Sequence, residues 1–225
     1  MPNPALIVCD SDVLTQYFIA NEIRPLKHLK DAYGIQPAIV QEVDLEMRWL
    51  QKHKDRFVPQ LDKALKSSVL RVLDPAYFQS LLSAAPVGAS WDGFQSLGAQ
   101  YEGRIHRGEA YSFAAGVTLG VPALSNDFSA IKTLEANLLT LPVPVLRSFD
   151  LLAFCFRTGF LELKACESVR SQLLKNGEGL PKAFMNASFE DGLRTFTPRL
   201  QDGEALVIGT GTYSATLGLS RMQKS

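Results

Sequence analysis

Four carboxylates, Asp10, Glu42, Glu109 and Asp127, stand where a sequence of this kind can do chemistry. Asp10 ends the apolar run Ala5-Leu6-Ile7-Val8-Cys9, and Glu42 comes just after the apolar run 35–40. Glu109 follows Gly108 at the opening of a helical pattern, and Asp127 follows Leu124-Ser125-Asn126. In an open parallel sheet, ligands bind beyond the carboxyl ends of the strands. Two of these acids sit at such ends, and the other two open helices that begin near the same edge. Brought together they make an acidic pocket, in which the carboxylates repel one another and raise their own pKa values unless a cation joins them. Mg2+ or Mn2+ suits such a pocket, because hard cations take oxygen ligands and magnesium combines a few carboxylates with water and substrate phosphate. One or two such ions neutralise charge on a phosphodiester and activate water. Each acid taken singly is also what a solvated surface or a helix N-terminus carries. The joint placement of all four favours the pocket.

The elements that must position these acids follow from the apolar pattern. The run 5–9 is continuous and of strand length, as in a parallel sheet buried on both faces. Residues 13–20 have helical spacing, and 26–33 form a second helix closed by Gly34. The run 35–40 is a short strand with an edge at Pro37. From Gln41 the pattern turns helical, with Val43, Met47 and Leu50 on one face and Trp49 placed in the core. Segments 57–73 and 75–84 read as helices, and Pro86, Gly88, Gly93 and Gly98 read as a loop. Together, residues of about 51–103 make a helical insertion. A strong helix covers 108–119, a strand follows at 121–124, a helix at 127–138, a strand at 143–146 and a helix at 149–156, with Ser148 as its N-cap and Asp150 in its first turn. The alternation implies an α/β fold with a central parallel sheet. Residues 163–225 read as a C-terminal extension, helical over 165–175 and ending in a flexible or strand-like Gly-Thr-Gly-Thr stretch at 209–212.

The four motifs in this order resemble the PIN-domain family of metal-dependent ribonucleases. Ile7-Val8-Cys9-Asp10-Ser11-Asp12-Val13-Leu14 is similar to the family's first motif, and Pro37-Ala38-Ile39-Val40-Gln41-Glu42-Val43 to its second. Gly108-Glu109-Ala110 is similar to the third in a toxin-like subgroup, and Leu124-Ser125-Asn126-Asp127 to the fourth. The resemblance covers residues 5–50 and 103–162, and implies a PIN-like three-layer fold over 1–162. It makes Asp10, Glu42, Glu109 and Asp127 the metal-binding and catalytic acids, Asp12 an accessory group and Ser125 a support for the fourth acid. It implies an endoribonuclease acting on RNA and, if the chain is a toxin, an antitoxin protein covering the pocket. A second copy of the chain stays open as a partner.

Other groups could serve such a site. Arg104, His106 and Arg107 lie just before Glu109 and could hold substrate phosphates at its rim. Lys52, His53, Lys54 and Arg56, with Lys63 and Lys66, form either a nucleic-acid-facing wall or a solvated helix face. Trp91, in its Gly/Ser-rich surroundings, and Tyr101 are candidates for stacking on unpaired bases. His28, His53 and His106 lack the spacing of a zinc site.

Two competing readings remain. Asp10-Ser11-Asp12-Val13 also resembles the first motif of haloacid-dehalogenase-type phosphatases, with Asp10 as nucleophile and Asp12 as acid/base; residues 205–225 hold no acid for the late motif that this family needs. A non-catalytic nucleic-acid-binding or scaffold protein of the same fold is the other. The chain has no GxxxxGK[ST] and no GxGxxG after a strand.

Composition agrees with an ordinary globular enzyme. The 225 residues carry 23 Lys+Arg and 23 Asp+Glu, which excludes coating of nucleic acid by bulk positive charge. Three cysteines without paired spacing argue against a disulfide framework and for a cytoplasmic location, with the thiols buried and inert. Met1-Pro2-Asn3-Pro4 leads straight to the short run ended by Asp10, so no signal peptide is expected, and no membrane span is visible.

Overall fold

Leu6, Ile7, Val8 and Cys9 are all buried, so the strand they form, β1 (Leu6–Cys9), must be covered on both faces. The computed structural model of the chain describes residues 6–49, 55–127, 129–133 and 144–198, and the backbone of 54, 200–201, 206–210 and 213–217. In it β1 is the middle strand of a five-stranded, all-parallel sheet. On one side lie β2 (Gln36–Val40) and β3 (Arg71–Leu73), and on the other β4 (Ala123–Leu124) and β5 (Val145–Leu146). The order is β3-β2-β1-β4-β5. The sheet is flanked by helices, so the α/β class and the central parallel sheet are as expected.

Connections follow from local chemistry. The Asp10 carboxylate caps α1 (Ser11–Ile19), and Pro25 opens α2 (Arg24–Tyr33), which ends at Gly34 with φ 68°. β2 runs without a loop into α3 (Gln41–Trp49). Then come α4 (Lys54–Lys66), α5 (Pro75–Leu81), a short 3-10 turn, α6 (Trp91–Glu102) and α7 (Arg107–Leu119). After β5 follow α8 (Ser148–Arg157), α9 (Leu163–Lys175), α10 (Lys182–Met185) and α11 (Phe189–Thr195). Strands β6 (Leu200–Gln201), β7 (Leu206–Thr210) and β8 (Tyr213–Leu217) form a separate antiparallel sheet.

Several local expectations are corrected. Arg71-Val72-Leu73, read as the end of a helix, is the edge strand β3. β2 therefore lies inside the sheet; Pro37 is tolerated because the pairing with β3 begins only at Ala38. The glycine-rich stretch around Gly93 and Gly98 is α6, capped by the Ser90 hydroxyl. A Cβ at Gly98 would meet the Tyr111 ring at 2.6–2.9 Å, so the glycine lets α6 lie close against α7. Trp91 is half-buried, its ring against Phe78 and Phe94, and Tyr101 is buried, so Tyr101 is not presented to a base. The N-cap of α8 is Arg147, whose N–H donates to Asp150 Oδ2 at 2.8 Å. The second half of the helix expected at 127–138, together with Lys52, His53, Gly211 and Thr212, lies outside the described residues.

One hydrophobic cluster takes residues from the sheet, from segment 57–101 and from segment 161–196. Phe57, Phe78 and Phe94 are fully buried in it, and so are Phe184 and Phe189. Among the described residues, those of the segment read as an insertion and of the segment read as an extension share this one cluster with the sheet. Cys9, Cys155 and Cys166 are free, buried thiols. Among the described residues no helix is long and apolar enough to cross a membrane.

Trp49 overturns another expectation. It is 73% exposed rather than part of the core. Trp49→Ala is expected to change stability by no more than about 0.5 kcal/mol, read as an unchanged denaturation midpoint, as for other surface positions.

Candidate metal centre

The carboxyl end of the central sheet gathers the acids through backbone register. Asp10 N–H donates to Leu124 O at 2.9 Å and Ser125 N–H to Leu146 O at 2.9 Å, which aligns the ends of β1, β4 and β5. Ser125 then ties two acids together. Its hydroxyl lies 3.5 Å from Asp10 Oδ2, as donor, and accepts the Asp127 N–H at 3.2 Å. Asp10 is 1% exposed and its other oxygen accepts the Ser11 N–H. Asp127 Oδ1 accepts from the Ser129 hydroxyl and from the N–H groups of Ser129 and Ala130, capping the helical residues 129–133. Glu109 sits in the first turn of α7, 8% exposed, hydrogen-bonded to Asp127.

Asp12 belongs to the same group. Its Oδ2 accepts the Asn126 N–H at 2.7 Å. Asn126 Oδ1 accepts the Ser148 N–H at 3.0 Å, the Ser148 hydroxyl donates to Gln16 Oε1 at 2.6 Å, and Gln16 Nε2 donates to Gly179 O at 2.9 Å. Since Asp12 and Gln16 are one turn apart on α1, these bonds close a ring that fixes Asp12 against the loop after β4.

Glu42 is not brought to these acids. Its Oε1 faces Arg107 Nη2 at 3.9 Å. Glu46, one helical turn further along α3, takes the place expected of it. Glu46 Oε1 accepts the Ser11 hydroxyl at 3.0 Å, and a Cβ at Gly108 would collide with Glu46 Oε2. Glu46 also raises the carboxyls of Asp10, Asp12 and Glu109 by its charge. The signal that could have found it is the i, i+4 spacing with Glu42, which puts both on one helix face.

Electrostatics follow from this crowding. Burial, then the charges of Asp12 and Glu109, hold the Asp10 carboxyl well above the usual range. Burial is also the main cause that pushes Asp12 up to about 7 and Glu109 up to about 8. Burial acts upward on Asp127 too, but the hydrogen bonds from Ser129, Ala130 and Glu109 outweigh it and leave the carboxyl low. Asp127 is therefore the anion of its pair and Glu109 the proton holder.

Beside this pair lies a cavity of about 360 Å3, whose wall includes Glu109, Asp127, Arg104 and His106. Two of the expected phosphate-holding residues thus face the acids. Arg107 does not: its guanidinium lies between Glu42 and Glu102 and over the Tyr111 ring.

The donor set fits a hard divalent cation. It is all oxygen, and Asp12 Oδ1 and Glu109 Oε2 are buried without a hydrogen-bond partner. Among the described residues no three such side chains converge into a ready-made cage. Magnesium does not need one, since it keeps several waters and uses one or two carboxylates.

A pH dependence follows for the protein without divalent cations. Between about pH 4 and 8 the folded chain holds protons on Asp12 and Glu109 that the unfolded chain has lost. Fewer protons in the unfolded state mean that stability falls as pH rises through this window. The midpoint of thermal unfolding is expected to drop between pH 5 and pH 8. Mn2+ at about a hundred times its Kd should restore about 2.7 kcal/mol. A midpoint that rises over this window would contradict the buried, protonated acids.

Set against protein-family models, curated proteins and solved structures, the chain matches none of them.

Proposed function

We propose that this chain is a metal-dependent endoribonuclease with a PIN-like fold. The observation that carries the reading is the grouping of Asp10, Asp12, Glu46, Glu109 and Asp127, linked through Ser11, Ser125 and mutual charge, beside a cavity that also presents Arg104 and His106. The order and type of the four sequence motifs support it, and so does the position of the acids at the carboxyl edge of a parallel sheet.

In this proposal Asp10, Asp12, Glu46, Glu109 and Asp127 are the groups that would hold Mg2+ or Mn2+. Such an ion, when bound, neutralises charge on a phosphodiester and lowers the pKa of water. Ser125 keeps Asp10 and Asp127 in register. Arg104 by charge and His106 by hydrogen bonding hold the flanking phosphates of the RNA. Glu109, with a carboxyl near neutrality and bonded to Asp127, is placed to accept or return a proton. A small antitoxin protein covering the cavity belongs to the same proposal.

The test is cleavage of a mixed RNA panel with Mg2+ or Mn2+ by the wild type, Asp10→Asn and Glu109→Gln. Metal-dependent cleavage lost in both folded variants supports the reading. Folded wild type without cleavage or metal affinity overturns it in favour of a binding protein. Turnover of p-nitrophenyl phosphate in place of RNA would return Asp10 to the phosphatase reading.

A further inference from the structure

At the far end of α1 from the acids lies a second cavity, of about 400 Å3. The nine residues of α1 span about 13 Å, so it is separate from the carboxylate cluster. Its floor is apolar: Phe18, Ala64 and Val69 are buried there, with Ile23 packed beside them. Its size is that of a small-molecule site.

The rim chooses the ligand. Two acids border the cavity, and each already has a cation. Glu22 is bound to Arg24 through both carboxylate oxygens, and Asp31 faces Lys27 at 3.9 Å. Two further lysines, Lys30 and Lys63, line the same cavity. Lys30 Nζ donates to Ser68 O at 2.6 Å, a neutral carbonyl that leaves its charge uncompensated. Lys63 is exposed at the last turn of α4. Asn21 and Gln60 add amide groups to the wall. Among the described residues neither Lys30 nor Lys63 faces a carboxylate, and an apolar floor below two such ammonium groups suits a molecule with an apolar body and one anionic end.

The wall also has an unusual backbone. Among the described residues, the non-glycine residues with left-handed φ are Asn21 (53°) and Ser68 (56°). Asn21 lines the cavity, and Ser68 stands between Ser67 and Val69, which also line it. Each follows the end of a helix, α1 and α4 respectively, so two chain reversals border the pocket.

We infer that the cavity between α1, α2 and α4 is a binding site for a monomeric amphipathic anion, such as a medium-chain carboxylate, its apolar body against Phe18 and Val69 and its charge between Lys30 and Lys63. The site is independent of the nuclease proposal and stands or falls without it.

The full-length protein is titrated with decanoate, decanol and inorganic phosphate by calorimetry, and mixed with phosphatidylglycerol vesicles. Decanoate is expected to bind saturably at one per chain, about tenfold tighter than decanol, as one charge-assisted contact supplies. Inorganic phosphate alone should bind far more weakly, since it leaves the floor empty. Lys63→Glu lies on the exposed surface and should keep its thermal midpoint while weakening decanoate about tenfold and leaving decanol unchanged. Lys30→Gln serves as the second variant, with the same direction. Equal binding of decanol and decanoate, indifference to both lysine changes, or association with vesicles but not with free decanoate would each overturn the inference.

Discussion

Glu46→Gln is expected to lower Mn2+-dependent RNA cleavage by about 10–100-fold, while Glu42→Gln leaves it within about fivefold. The two residues are one turn apart on α3 and differ in what they meet. Glu46 receives the Ser11 hydroxyl and adds its charge to Asp10, Asp12 and Glu109. Removing a carboxylate that holds the metal, or that orients one that does, costs on the order of 10–100-fold in metal affinity or activity. Glu42 instead faces Arg107, whose side chain is 62% exposed. The Glu42 side chain is 13% exposed, and a 3.9 Å pair open to solvent on its arginine side contributes about 1 kcal/mol, or about fivefold. Both variants keep the shape of the side chain, so folding is not at issue. Single-turnover cleavage rates at saturating Mn2+ measure the difference. A larger loss in the Glu42 variant would move the site toward Arg107 and undo the assignment of Glu46.

The second large effect concerns stability. Phe184→Ala is expected to cost about 3–5 kcal/mol, a large part of the 5–15 kcal/mol that holds an ordinary domain together. Phe184 is fully buried, with ring centroids 4.7 Å from Phe149, 5.3 Å from Phe189 and 4.9 Å from Phe196. A Cβ at Gly192 would collide with its ring, so α10 and α11 are in close contact. Phe149 opens α8 just beyond β5, so this cluster welds the C-terminal helices to the sheet. Arg147 adds to the weld: it bonds Asp150 twice, donates to Thr197 O and lies over the Phe196 ring. Chemical denaturation of the variant reads the loss directly. A chain cut after residue 162 should show no cooperative transition, because Phe149 would then lose its cover. A stable, cooperative fragment 1–162 would restore the view of residues 163–225 as an appendage.

Much of the sheet was legible because its inner strands are continuous apolar runs, as in β1 and β2. The acids at their ends were legible for the same reason, since a strand end is fixed by where the run stops. β3 was not, because its three residues follow the helical pattern of α4 with no proline or glycine in 67–70 to mark the break. Glu46 was hidden by helix phase: spacing shows that Glu42 and Glu46 share a face, but not which of them reaches the neighbouring strand ends. α6 was hidden by its glycines, of which Gly98 is there for the Tyr111 ring rather than for a turn. The α8 cap slipped by one residue because an arginine backbone, not a serine side chain, meets Asp150.

The central position of β1 also sets when the site can exist. β1 is made first, yet one of its two neighbours, β4, comes much later: Ser125 and Asp10 are 115 residues apart in the chain. At a synthesis rate of roughly 5–20 residues per second, the ribosome needs on the order of ten seconds to cover that interval. During that time Asp10 and Asp12 are present without Ser125, Asn126 or Asp127. On the proposed function, a nascent chain would therefore be silent, and cleavage would begin only once the two halves of the sheet meet across β1.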